Sequence, residues 1–140
     1  MKFDPLISIK LNHTNRAYQP GDLLECEYQV DAVKRDELKS VEVATMWYTS
    51  GKGDEEEAIH YYERQTARTS YGEIDLRELS HFSTELPLSP LSYIGTNLNI
   101  TWCVRVRIVV QATDQPPKEF KYSQPFQLHA YQANQQRADD

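Results

Sequence analysis

The segment that decides the fold is Leu86–Gln111, LPLSPLSYIGTNLNITWCVRVRIVVQ. It opens with a crossing loop punctuated by Pro and Gly, then continues as the longest alternating pattern in the chain. From Asn99 on, Ile100, Trp102, Val104, Val106, Ile108 and Val110 fall on one side. Asn99, Thr101, Cys103, Arg105, Arg107, Val109 and Gln111 fall on the other. A two-residue period held this long needs a strand with one buried and one wet face, whereas a helix would scatter the apolar residues around its circumference. The segment predicts a β-sandwich strand, in a fold whose members bind things rather than transform them.

Working outward, the remaining chain divides into strands and turns. Leu6–Leu11 is a short strand with Ile7, Ile9 and Leu11 on one face. Tyr18–Asp22, YQPGD, is a turn, because Pro fixes one dihedral and Gly supplies a positive φ beside it. Strands follow at Leu23–Ala32, Val41–Thr49 and Ala58–Thr66, with a charged connection at Lys34–Lys39 and a polar hairpin loop at Ser50–Glu57. In Gly72–Leu79 the apolar Ile74, Leu76 and Leu79 do not alternate, which leaves a short helical turn or an irregular crossover. His81–Leu88 resumes as a strand, and Lys118–His129 holds a last strand or pair after a turn at Asp114–Pro117. The pattern predicts an all-β, immunoglobulin-like antiparallel β-sandwich of seven or eight strands over residues 1–130. Residues 131–140 lack an apolar pattern and are expected to form a disordered tail.

A chain of 140 residues suits one domain with one substantial core. Its aromatic share of 11%, with nine Tyr, suits two sheets packed face to face, where large rings fill the space between layers. The net charge of −6 argues against nucleic acid or an anionic membrane surface as partner, since both require clustered Lys and Arg. No apolar run approaches a membrane span, and Asp4 and Pro5 sit where a signal peptide would carry its apolar core. The expected location is cytoplasmic. On that expectation the Asn12-His13-Thr14 and Asn99-Ile100-Thr101 glycosylation patterns are chance matches.

The cysteines support a reduced compartment. Cys26, Trp47 and Cys103 imitate the order of an immunoglobulin disulfide and its tryptophan. Parity nevertheless sends the two thiols to opposite faces, Cys26 inward with Leu24 and Tyr28, Cys103 outward with Arg105. A bridge across the core needs both inside, so both are expected to be free thiols.

Two motifs together resemble the arrestin family. Tyr18-Gln19-Pro20-Gly21-Asp22 before an alternating strand is similar to the turn that opens arrestin-type lobes. Leu86-Pro87, Ser92-Tyr93-Ile94-Gly95 and Ile100–Val106 resemble a segment late in the same lobe. The resemblance spans Leu6 to Leu128, and Trp47–Asp54 looks like a feature of a bacterial single-lobe subgroup. It implies an arrestin-like sandwich acting as an adaptor or scaffold. Arrestins and the related retromer subunit pack two lobes, while this chain has room for one. The charged inter-lobe core and the phosphate-sensing lysines of that family therefore have no counterparts here.

Candidates for chemistry are few. Cys103 is the one nucleophile on an outward face, and Arg105 two residues away would favour its thiolate. His13, His60, His81 and His129 lack the spacing of metal ligands, and Asp54–Glu57 lacks the alternation and glycine of a calcium loop. No catalytic, metal or cofactor site is expected. Candidates for binding are richer. Arg105, Arg107 and Val109 share the outward face of the long strand, where the arginines would otherwise pair with Glu25 and Glu27 of a neighbouring strand. Met46, Tyr48, Tyr61 and Tyr62 cannot all be inside if Trp47 is, and exposed Tyr and Met favour partner contacts. Open sheet edges are a third.

The expected function is a non-catalytic protein-interaction module, an arrestin-like adaptor lobe taking a protein or peptide partner or pairing as a homodimer. The alternatives are a small enzyme or redox-responsive domain using Cys103, and an extracellular adhesion or carbohydrate-binding sandwich.

Overall fold

The computed structural model describes residues 4–53 and 55–130, so the tail expected over 131–140 lies outside the described residues. Within them the chain is all β. Seven strands have six or more residues: β1 (Leu6–Leu11), β3 (Leu23–Asp31), β4 (Leu38–Gly51), β5 (Glu57–Thr66), β8 (Ser80–Glu85), β10 (Leu98–Val110) and β11 (Lys118–Leu128). Four are two-residue pieces: β2 (Ala17–Tyr18), β6 (Arg68–Thr69), β7 (Gly72–Glu73) and β9 (Tyr93–Ile94). The long strands match the predicted set, and β4 starts three residues earlier than its apolar pattern suggested.

One sheet has the order β1-β3-β8, and the larger runs β2-β11-β10-β4-β5 with β9 beside the start of β10. All pairings are antiparallel except β2 with β11. The two sheets bury one core between them. Strand β10 supplies Trp102, Val104, Val106 and Ile108, and β3 supplies Leu24, Cys26, Tyr28 and Val30 from the opposite layer. The alternation in sequence is thus the alternation in burial.

The loop before β10 is fastened to this core. The buried Trp102 indole donates to the Pro90 carbonyl at 2.7 Å, which satisfies its N–H inside the layer. The YQPGD turn is closed the same way. Gly21 takes a φ of 87°, and the Gln19 N–H donates to the Asp22 carboxylate at 2.8 Å. Gly51 at the end of β4 is also constrained. Its φ is 127°, and an added Cβ would run into the Asn97 backbone.

The open alternative over Gly72–Leu79 resolves to an irregular crossover without helix, with a turn at Leu76–Arg77. Leu76 drops into the core, and the Arg77 guanidinium donates to the Val33 carbonyl at 3.4 Å and clasps Asp75 at 2.9 Å. The crossover therefore follows tertiary contacts, which is why its apolar residues keep no period.

Trp102→Ala should cost about 3–5 kcal/mol, the usual loss for truncating a fully buried large ring. Urea denaturation checks this, with Arg105→Ala on the opposite face expected to cost far less.

Candidate interaction surface

Register and alternation define what lies on the outer face of the larger sheet. In β10 that face carries Thr101, Cys103, Arg105, Arg107 and Val109, paired in β4 with Tyr48, Met46, Ala44, Glu42 and Ser40. Beyond β4 come Ile59, Tyr62 and Arg64 of β5, and beyond β10 come Pro125, Ser123, Lys121 and Glu119 of β11. Six of the seven predicted binding residues share this face: Met46, Tyr48, Tyr62, Arg105, Arg107 and Val109.

Tyr61 does not share it. A bulge between Thr45 and Met46 leaves His60 as the extra residue of β5. The strand changes parity there, so Tyr61 turns inward and stacks on Phe82 with centroids 5.1 Å apart. Its hydroxyl donates to Glu63 at 2.8 Å. His60 turns inward as well, with its ring edge-on to Trp102 and 2.9 Å from the Thr45 hydroxyl. Burial holds the imidazole below its ordinary pKa, against a smaller upward pull from the Glu85 backbone. A bulge cannot be read from a two-residue period, and the Tyr61-Tyr62 pair gave no other signal.

The arginines are paired, but not with Glu25 and Glu27, which belong to β3 in the other sheet. Arg107 spans its two neighbouring strands, reaching Glu42 at 2.6 Å and Glu119 at 3.0 Å. Arg105 bonds Ser123 at 3.2 Å and lies 3.6 Å from Glu57. Glu42 also accepts the Tyr62 hydroxyl. Burial works against ionising Glu42, yet Tyr62 and Arg107 outweigh it and hold the carboxyl below its ordinary pKa. The central charges of this face are satisfied by one another.

Above that belt runs an apolar row across four strands: Ile59, Met46, Cys103 and Pro125. Met46 and Cys103 are buried although they lie on the outer side of the sheet, while Ile59 is 60% and neighbouring Tyr62 48% exposed. The expected outward exposure of Cys103 is thereby corrected. Packing within the outer face covers the thiol, and burial raises its pKa more than Arg105 and Ser123 lower it. Cys26, inside the core, is pushed up to about 12 by burial and by Glu27. Both are free thiols. Asn12 is engaged in the fold too, its amide nitrogen donating to the Leu23 carbonyl at 3.1 Å and its oxygen accepting from Tyr18 at 2.7 Å.

Among the described residues no three His, Cys, Asp or Glu are grouped to hold a metal ion, and no helix is long and apolar enough to cross a membrane.

No protein-family model matches the chain, and no curated protein matches it in sequence. Among solved structures, Spo0M, a sporulation control protein from Bacillus subtilis, is similar in fold with a TM-score of 0.60 at 15% identity. The match covers 91% of this chain and 50% of the neighbour, so the chain spans half the length of Spo0M. The likeness is one of fold, an arrestin-like β-sandwich.

The Glu42 pairing sets a pH dependence. Because its folded-state pKa is depressed, its contribution is present above the ordinary glutamate pKa and is lost as pH falls through the folded one. Glu42→Gln should cost roughly 1 kcal/mol at neutral pH, since Arg107 is partly solvent-screened. Denaturation series from neutral to acid pH should show the gap between variant and wild type closing in acid.

Proposed function

We propose that this chain is a non-catalytic interaction module that binds a protein or peptide partner through the outer face of its larger sheet. The single observation behind this function is the pairing pattern of that face. Glu42, Arg107 and Glu119 satisfy one another, as do Arg105 and Glu57, while Ile59 and Tyr62 stay exposed beside them. Such a face offers exposed apolar contact area at its edge strand beside a block of fixed, orienting charge, a combination suited to protein binding. The fold shared with a sporulation control protein is compatible with a regulatory adaptor role. A second copy of the chain is the alternative occupant, and the cytoplasm is the compartment that free thiols favour.

Ile59→Ser combined with Tyr62→Ser should reduce partner capture from native lysate by about tenfold, while the exposed side chains and the lost Tyr62–Glu42 hydrogen bond lower the denaturation midpoint no more than Glu42→Gln does. Unchanged capture would reject this face. Light scattering after gel filtration reads the homodimer directly, as a mass above 16.3 kDa that the double variant brings down.

The rival function, thiol chemistry at Cys103, predicts alkylation faster than that of a free-thiol control at neutral pH. Burial predicts the reverse: both cysteines should react slowly in the native protein and quickly only after unfolding.

A further inference from the structure

Counted in long strands alone, the two sheets differ in width by one strand. Adjacent strands lie about 4.8 Å apart, so the long strands β11-β10-β4-β5 span about 14 Å between outer axes, against about 10 Å for β1-β3-β8. The sheets meet at the side where β1 contacts β11, which puts the overhang at β5. Burial agrees. The inward residues of β4, Val41, Val43 and Thr45, are sealed at 3%, 1% and 0% exposure. Their partners in β5, Gln65, Glu63 and Tyr61, are only half-buried.

The edge that borders this vacancy is β8. The N–H and C=O of Leu86 both bond toward the start of β3, to Asp22 and Gly21. By two-residue alternation Thr84 and Phe82 also bond toward β3, the Glu85 backbone is met by the His60 ring of β5, and the backbones of Ser83 and His81 face the open side. Other edges carry blunting features: Lys10 in β1, Lys121 and Pro125 in β11, and the His60 bulge in β5. Strand β8, SHFSTE, has no Lys, Arg, Pro or bulge.

Charge specifies what would lie there. Side chains of an added strand would alternate between the Tyr61 side and the outer face of the smaller sheet. That outer face has a depression of about 300 Å³ beside β8, lined by Glu25, Glu27, His81 and Ser83, with Lys10 at its far side. Glu85 is exposed on the same face. From the added strand to β3 is about two strand spacings, a gap that an Arg or Lys side chain and a Glu together can bridge.

We infer that the edge of β8 at His81 and Ser83 accepts an extended segment of a partner protein, carrying Lys or Arg at alternate positions, as a fourth strand of the smaller sheet. This rests on the binding function proposed above but uses a different surface.

The test is titration calorimetry with two synthetic peptides of about six residues, a usual strand length, one alternating Lys with Val and one alternating Glu with Val. The Lys peptide should bind at least about tenfold more tightly. Ser83→Pro removes an outward N–H at a position where an edge strand tolerates proline, and should abolish binding with circular dichroism unchanged. Glu25→Lys with Glu27→Lys, at exposed sites, should reverse the peptide preference. Equal binding of both peptides, no binding of either, or a preference unmoved by the charge reversal would overturn the inference. So would a wild-type dimer that Ser83→Pro dissociates, which would put a second copy on the edge. A protein that still captures partners through Ile59 and Tyr62 yet ignores both peptides would lose this inference alone.

Discussion

Strand β10 is hydrogen-bonded to β4 along its length and, from Trp102 on, to β11 as well. Its side chains therefore have two directions only, and the two-residue alternation assigns each to one layer. The inward row from Trp102 to Ile108 is fully buried. The loop before the strand is held by the Trp102 indole on Pro90, and the opposing layer supplies Leu24, Tyr28 and Val30 to the same space. A shift of one residue would exchange this row for Cys103, Arg105 and Arg107, so core burial fixes the register of the whole larger sheet.

That register also creates the outer face. Once Arg107 is placed between β4 and β11, Glu42 and Glu119 are its nearest cross-strand carboxylates, and the arginine cannot reach the smaller sheet. Cross-strand neighbours on one face lie within about 5.5 Å, whereas the two layers stand about 10 Å apart with the core between them. The same crowding buries Met46 and Cys103 under their own sheet's side chains. A strand can thus have a polar outer parity and still hide a thiol there.

Two departures from regularity shape what remains exposed. The bulge at His60 reverses parity within β5, turning Tyr61 into the core and leaving Ile59 and Tyr62 outside. The missing fourth long strand in the smaller sheet leaves the inner side of β5 half-covered and the outer backbone of β8 at His81 and Ser83 without a strand partner. Both surfaces adjoin β5, on opposite sides of the larger sheet.

Alternation and turn chemistry made the sandwich, its seven long strands and the inward row of β10 legible in the sequence, because these follow from local periodicity and from what Pro and Gly permit. The opposite facing of Cys26 and Cys103 followed from the same parity, as did the outward facing of Arg105, Arg107 and Val109. Tertiary structure decided the rest. The partners of the arginines depended on which strands became neighbours, a matter of topology that no local pattern encodes. The side taken by Tyr61 depended on one bulged residue, and the burial of Cys103 on side chains from β4 and β11 that lie far away in sequence. Periodicity specifies direction along a strand; neighbours, and therefore exposure and charge pairing, exist only once the sheets have formed.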